Sequence, residues 1–173
     1  MHRPLDGWLP PAELPAGLAL VPWDISHIPC YADVLARTFR GTIDARLFPD
    51  LGHYPGCLEL MAIIAGQAGF VPGATWLVRH QGDSVACIQG VRHDGGVAVV
   101  QNVAVRPGFQ GRGLGKVLLH AALVGFHGAG VREARLEVSA KNDRAVRLYH
   151  HFGFQRLKTI YRETQPDAAE YTI

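Results

Sequence analysis

The stretch from Val99 to Lys116 constrains the fold most, because it combines a strand, a short glycine-rich loop and the start of a helix. A valine-rich apolar run predicts the strand, and Pro107 marks its end. Apolar residues at helical spacing predict a helix from Val117 onward. In the loop between them, every second residue is glycine: Gly111, Gly113 and Gly115.

This loop is suited to binding an anion. Glycine has no Cβ, so successive backbone N–H groups can turn toward one point and a ligand can approach closely. The helix N-terminus directly behind the loop adds further N–H groups and the positive end of the helix dipole. Arg112 and Lys116 place two cations beside the same point. The sequence therefore predicts a phosphate-binding turn.

The spacing of the loop distinguishes three known kinds of phosphate-binding turn. A Walker loop is excluded, since Gln110 stands where its first glycine belongs and Val117 where its magnesium-binding hydroxyl belongs. The dinucleotide pattern G-x-G-x-x-G is excluded, since Lys116 or Leu118 takes the place of the third glycine. Residues 110–115 fit the pattern Gln/Arg-x-x-Gly-x-Gly/Ala. This run resembles the acetyl-CoA pyrophosphate loop of the GCN5-related N-acetyltransferases.

A second block supports this resemblance. Residues 142–154 match the N-x-x-A-x-x-L-Y-x-x-x-G-F signature of the same family. If the block is a helix, Asn142, Ala145 and Tyr149 lie along one of its faces. Tyr149 can then face the cleft that contains the anion loop, provided that both helices flank the sheet.

The resemblance implies an α/β (α+β) acyl-CoA N-acyltransferase fold, with a mixed, mostly antiparallel sheet flanked by helices. It also implies transfer of an acetyl group from acetyl-CoA to a primary amine by direct attack in a ternary complex. We expect a proline-rich, irregular arm over residues 1–16 and a single acetyltransferase domain over 17–173. The predicted strands are 17–23, 74–80, 84–92, the run from 99, 134–139, 154–162 and 170–173. The predicted helices are 27–39, 56–69, the one ending near 127, and 142–153, while 40–55 is predicted to be irregular.

The family also implies roles for individual residues. The N–H of Val103 would stabilise the developing oxyanion, and Val105 would lie beside the pantetheine arm. Asn142 would contact the cofactor, and Tyr149 would contact it and give a proton to the departing thiolate. The pyrophosphate would bind mainly to backbone N–H groups of the loop: Gln110, Gly111, Arg112, Gly113, Leu114, Gly115 and Lys116.

The general base is left unassigned by the sequence. Many family members carry a glutamate at the position of Gln101, and a glutamine there cannot accept the proton of the amine. His93, Asp94 and His53 remain candidates, and so does an amine that arrives already neutral. Gln101 is still predicted to contact the acceptor. So are polar residues of the 40–55 segment, where a cationic amine would meet Asp44, Asp50, His53 or Tyr54.

The composition limits the kinds of ligand and macromolecule that the protein is expected to bind. A net charge of +2 disfavours nucleic acid, and no apolar run approaches the ~18 residues of a membrane span, so we expect a cytoplasmic protein. Cys30, Cys57 and Cys87 lack the spacing of a metal site or a disulfide framework, so no metal is expected. The balanced charge favours a small-molecule amine over a protein acceptor, and the apolar content is compatible with a homodimer. A CoA-binding sensor without turnover and a purely structural dimer remain alternatives.

Overall fold

The computed structural model describes residues 1–7 and 9–161. Its strands are β1 (His2–Pro4), β2 (Leu18–Pro22), β3 (Trp76–His80), β4 (Asp83–His93), β5 (Val97–Val105) and β6 (Glu133–Leu136). Its α-helices are α1 (Ile28–Phe39), α2 (Ile43–Leu47), α3 (Tyr54–Gly66), α4 (Leu114–Gly128) and α5 (Asp143–His151). No helix among these residues has the length and apolar composition needed to cross a bilayer.

The six strands form one sheet in the order β1-β6-β5-β4-β3-β2. The β5–β6 pair is parallel and every other pair is antiparallel. Helices α1 and α3 cover one face, with a core that includes Tyr31, Leu35 and Met61. Helices α4 and α5 cover the other face, where Phe126 and Phe152 are buried. The predicted fold class, a mixed and mostly antiparallel sheet flanked by helices, is confirmed.

The sheet opens where β5 and β6 separate. β6 pairs with Val97–Val100, and the register of β5 against β4 shifts at Gln101, the extra residue of a β-bulge. A bulge bends its strand and increases its twist, so the second half of β5 diverges from β6. β6 accordingly ends at Leu136, three residues before the predicted end of this strand. The separation leaves one edge of residues 101–105 open to a cleft.

The expectation of an irregular N-terminal arm is wrong for His2–Pro4, which form β1 at the sheet edge. Arg3 is opposite Ala134 of β6, and the terminal amino group of Met1 donates to the Leu136 carbonyl at 2.7 Å. Proline is tolerated on an edge strand, because the missing N–H is not needed there. This strand depends on a partner 130 residues away in the sequence, which no local pattern reveals.

The predicted strand over 154–162 is wrong as far as residue 161. Gln155 forms an isolated bridge with His2 and is the one residue of 154–161 that pairs. On the side of Gly153 the bridge does not extend, since Pro4 lacks an N–H and Gly153 is left-handed at a φ of 78°. The predicted strand over 170–173 lies outside the described residues.

The segment 40–55 is more regular than predicted. It contains α2, a 3₁₀ turn over Pro49–Gly52 and the first residues of α3. Thr42 caps α2, with its hydroxyl oxygen accepting from the Ala45 N–H at 3.4 Å. His53 caps α3, with Nδ1 accepting from the Gly56 N–H at 3.1 Å. These side-chain caps make two helix starts in a stretch that lacks a long hydrophobic period.

Candidate functional site

A cleft of about 650 Å³ lies at the open edge of β5. Its size falls within the usual range of small-molecule sites, roughly 300–1,000 Å³. Four parts of the chain form its walls: the end of α1 with α2, the second half of β5, the glycine loop with the start of α4, and α5. The two motifs that the sequence separates by some 25 residues therefore face one space.

The β5 wall presents backbone donors to the cleft. The Arg106 N–H donates to the Val85 carbonyl of β4 at 2.9 Å. Because successive residues of a strand point their N–H groups in opposite directions, those of Val103 and Val105 point away from β4. β6 has already ended on that side, and both valines line the cleft. Two N–H groups are thus directed at whatever occupies it.

The glycine loop has the conformation of an anion cradle. Gly111 and Gly113 are left-handed, with φ of 85° and 81°. The N–H groups of Lys116 and Val117 both donate to the Gly113 carbonyl, at 2.9 and 3.2 Å, so α4 begins immediately after the loop. The N–H groups before them in a helix have no intrahelical acceptor. A phosphate at this point therefore meets orphan donors and the positive end of a 15-residue helix.

Two side-chain bonds tie the loop to its neighbours. The Gln110 amide nitrogen donates to the Val105 carbonyl at 3.0 Å, and the Gln110 amide oxygen accepts from the Arg144 guanidinium at 2.8 Å. Gln110 thus joins β5, the loop and α5 at the mouth of the cleft. Arg112 is turned elsewhere: its guanidinium donates to the Gly108 carbonyl at 3.2 Å and lies 4.9 Å from the centre of the Phe109 ring. The Arg112 side chain is not among the groups that line the cleft.

Helix α5 contributes Asn142 and Tyr149 to the cleft. The Asn142 side-chain oxygen caps α5 by accepting from the Ala145 N–H at 3.1 Å, which leaves its NH₂ group available. Tyr149 is 7% exposed, and its ring packs edge-on to Phe154. Burial, together with the negative charge of Asp44, raises the pKa of the Tyr149 phenol. The phenol therefore stays protonated at neutral and mildly alkaline pH.

Asp44 is the acidic group of the cleft. It lies in the first turn of α2 and lines the cleft on the side formed by α2 and the end of α1. Burial raises the pKa of its carboxyl from the usual aspartate value. Within residues 1–7 and 9–161, its carboxylate has no ion-pair or hydrogen-bond partner.

The charge of the cleft is divided between its mouth and its interior. Cationic side chains lie around the loop and along α5, at Lys116, Arg144 and Arg147. They favour a polyanionic ligand at the mouth. Among the described residues that line the cleft, the one carboxylate is that of Asp44 on α2, which favours a cation there.

Four residues predicted to contact the acceptor lie outside the cleft lining: Gln101, Tyr54, His53 and the exposed Asp50. Gln101 is exposed at the bulge of β5, Tyr54 is 41% exposed at the start of α3, and His53 is exposed as the cap of that helix. Their contact with an acceptor stays a prediction. The sequence grouped Asp44 with Asp50, His53 and Tyr54 and could not choose among them, because only the fold brings α2 opposite α5.

Comparison with known proteins places this geometry in context. The family described as "Acetyltransferase (GNAT) family" matches residues 42–154, which include the loop and the α5 block. A mycothiol acetyltransferase of Beutenbergia cavernae is 35% identical over 132 residues, which cover 68% of this chain and 44% of that protein. The ribosomal protein bS18 alanine N-acetyltransferase of Salmonella typhimurium is 42% identical over 71 residues, 41% of this chain and 47% of that protein. The chain thus spans about half the length of the curated relatives it matches.

Solved structures share the fold. A GCN5-related N-acetyltransferase from Sphaerobacter thermophilus superposes with a TM-score of 0.70 at 22% identity, covering 88% of this chain and 45% of that one. The S18-alanine N-acetyltransferase of Escherichia coli superposes with a TM-score of 0.64 at 20% identity, covering 82% and 79%. At these identities the likeness concerns the fold.

Proposed function

This chain belongs to the GNAT acetyltransferase family, and we propose that it transfers an acetyl group from acetyl-CoA to a primary amine, within one domain over residues 17–173. One observation carries the proposal. Backbone donors of β5, the anion loop and a buried, protonated tyrosine face a single cleft. Each is the group that one part of an acetyl-CoA molecule requires: thioester carbonyl, pyrophosphate and departing sulfur.

In this proposal the backbone does most of the binding. The N–H groups from Gly111 to Gly115 hold the pyrophosphate, and Lys116 and Arg144 add positive charge nearby. The loop fits this role because its glycines leave the space before it open: a Cβ on Gly113 would meet nothing within 4 Å. Val105 and the Asn142 amide flank the pantetheine arm. Acetyl-CoA supplies an activated acetyl group as its thioester.

Catalysis in this proposal depends on two donors. The Val103 N–H stabilises the negative charge that develops on the carbonyl oxygen as the amine attacks. The Tyr149 hydroxyl gives its proton to the sulfur as the carbon–sulfur bond breaks. Because the pKa of this phenol is raised, the proton is present throughout the working pH range.

The acceptor in this proposal is a small-molecule amine. The relatives named above include both a mycothiol acetyltransferase and a ribosomal-protein acetyltransferase, so their names leave both classes open. The near-neutral balance of 17 Lys and Arg against 15 Asp and Glu disfavours a strongly charged partner such as nucleic acid. Asp44 lines the cleft, within reach of a small molecule bound there.

A sensor that binds acyl-CoA without turnover is the second candidate. It is favoured by Gln101, a glutamine where many family members carry a basic carboxylate. Asp44 weighs against it, because a carboxylate is present in the cleft at another position.

The test combines turnover with binding. Acetyl-CoA consumption is followed by release of free thiol against a broad panel of primary amines, with product mass as confirmation and calorimetric CoA titration alongside. We expect CoA binding together with turnover of at least one amine. Tight CoA binding with no acetylated product from any amine would support the sensor instead, and absence of CoA binding would refute both.

A further inference from the structure

The acidic residue of the cleft has a chemical task that the sequence left unassigned. Resting on the proposed function, we infer that the Asp44 carboxylate receives the ammonium group of the acceptor and takes its proton before the amine attacks. The substrate class is then a cationic primary amine. Asp44 would be a catalytic residue located on α2, with no role for Gln101 in proton removal.

The position of Asp44 is fixed by its own helix. The Thr42 hydroxyl caps α2, and the Asp44 carbonyl accepts from the Phe48 N–H at 2.8 Å, which closes the helix. The side chain therefore extends from an anchored turn into the cleft. Tyr149 lines the same cleft from α5, and the negative charge of Asp44 contributes to the raised pKa of its phenol. The Asp44 carboxylate, a proton acceptor, and the Tyr149 hydroxyl, a proton donor, thus border the space in which the acetyl group would be transferred.

The other candidates for the base are exposed, engaged or outside the cleft. His93, Asp94, Asp50 and His53 are exposed and do not line it, and the ring nitrogen Nδ1 of His53 already accepts from the Gly56 N–H. His151 lines the cleft from the exposed end of α5, with its ring edge-on to Phe152. The carboxylates of Asp33 and Glu133 lie on other parts of the surface, each 2.6 Å from an arginine. Asp44 combines a place in the cleft with a carboxylate free of partners among the described residues.

The electrostatics of this wall favour a cation. Burial is the cause of the raised pKa of Asp44, so the carboxylate lacks a compensating charge. The titratable groups of the described residues that share the cleft with Asp44 are Arg144, Arg147, Tyr149 and His151 of α5 and Lys116 of α4, while Asp50 follows on the adjacent 3₁₀ turn. Tyr149 is neutral at working pH. An ammonium group beside Asp44 would supply the missing positive charge.

The need for a base follows from the acceptor itself. A primary alkylamine with a pKa near that of lysine, about 10.4, is neutral in roughly one molecule in 2,500 at pH 7. A carboxylate that removes the proton inside the cleft lifts this restriction. General-base assistance of this kind typically contributes about 10²–10⁴-fold to the rate.

Acetyl transfer to an ammonium substrate releases one proton overall. Asp44 takes one proton from the ammonium group and releases it to solvent after turnover. The amine nitrogen then forms its bond to the acetyl carbon while the carbon–sulfur bond breaks. Tyr149 gives its proton to the sulfur and regains one from the new amide nitrogen. The sum is one amide, one free thiol and one proton released.

The decisive experiment compares Asp44→Asn with the matched control Asp83→Asn, which removes an exposed carboxylate at the start of β4, outside the cleft. The probes are propylamine, ethanolamine and cadaverine, with kcat/KM measured from pH 6 to 10 and CoA affinity measured by calorimetry. For Asp44→Asn we expect kcat/KM at pH 7 to fall about 10²–10³-fold. CoA affinity should stay within about twofold, and Asp83→Asn should match the wild type.

The pH dependence separates a base from a merely structural residue. In Asp44→Asn the rate should rise about tenfold per pH unit toward the pKa of the amine, because the variant depends on the neutral fraction in solution. A uniform deficit at every pH, undiminished turnover, or an equal loss of CoA binding would each overturn the assignment of Asp44 and leave the proposed function intact. A wild-type protein that binds CoA but acetylates none of these or any other amine would overturn the proposed function, and this inference with it.

Discussion

Replacing Gly113 by aspartate tests the anion loop most sharply. The free protein has room for the new side chain, since a Cβ there meets nothing within 4 Å. Gly113 has a φ of 81°, however, and an L-residue in this region costs about 1–2 kcal/mol. For a chain of this size that lowers Tm by about 2–8 °C, at roughly 2–4 °C per kcal/mol. The fold should therefore survive.

The loss of CoA binding should be much larger than the loss of stability. A carboxylate about 4 Å from one phosphate charge is repelled by about 4 kcal/mol at an effective dielectric constant of 20. This energy corresponds to about a thousandfold rise in Kd. The assay is calorimetric titration of CoA, with thermal unfolding measured on the same samples.

Two further variants separate charge from backbone effects. Gly113→Asn has nearly the same shape without the charge and should bind CoA about 10²–10³-fold more tightly than Gly113→Asp. Gly82→Asp carries the charge and a similar backbone penalty at a φ of 91°, but it lies in the β3–β4 turn away from the cleft, so its CoA affinity should be unchanged. If Gly113→Asp binds CoA as tightly as the wild type while folded, the loop is not the phosphate site.

Three other outcomes follow from the same structure. Tyr149→Phe should lower kcat about 10²–10⁴-fold with little change in CoA affinity, and an equal loss of both would contradict the acid role. Arg144→Ala removes the bond to Gln110 and should raise Kd for CoA a few-fold without changing Tm, since exposed pairs contribute about 0–1 kcal/mol. Burial raises the pKa of the Cys57 and Cys87 thiols to about 11 and about 12, above their unfolded values. The folded state holds these protons more tightly, so the free energy of unfolding, measured with denaturant, should fall as pH rises above about 8.5; a flat profile would be inconsistent with it.

Local sequence patterns were sufficient for the elements that carry their own signals. The valine run, the alternating glycines and the apolar period of α4 lie next to one another, so β5, the loop and α4 were predicted in order. The strands predicted over 74–80 and 84–92 likewise correspond to β3 and β4. Short-range chemistry decides these elements, because turn residues and periodicity act within a few positions.

Long-range pairing was beyond the sequence. β1 exists because Arg3 meets Ala134, and the early end of β6 follows from an extra residue at Gln101 in another strand. Neither feature has a local signature. The short α2 was missed for a different reason, since its signal is a single capping threonine, Thr42.

The candidate site shows the same division. Val103, the loop, Asn142 and Tyr149 were named from two motifs, and the fold brings them to one cleft. Asp44 could not be singled out from its acidic and aromatic neighbours, because its place depends on how α2 packs opposite α5. The direction of the Arg112 side chain, toward Phe109, was equally invisible in the sequence.

Amide hydrogen exchange, measured with and without saturating CoA, tests most directly whether the cleft at the open edge of β5 binds CoA. We expect slower exchange on CoA addition for the N–H groups of Val103, Val105 and the loop residues 111–115, all of which except Arg112 line the cleft. The N–H groups of the β3–β4 turn, around Gly82, should be unaffected and serve as the internal control. Protection of the loop and of β5 together would identify the cleft as the CoA site. CoA binding that leaves both unprotected would mean that CoA binds elsewhere on the protein.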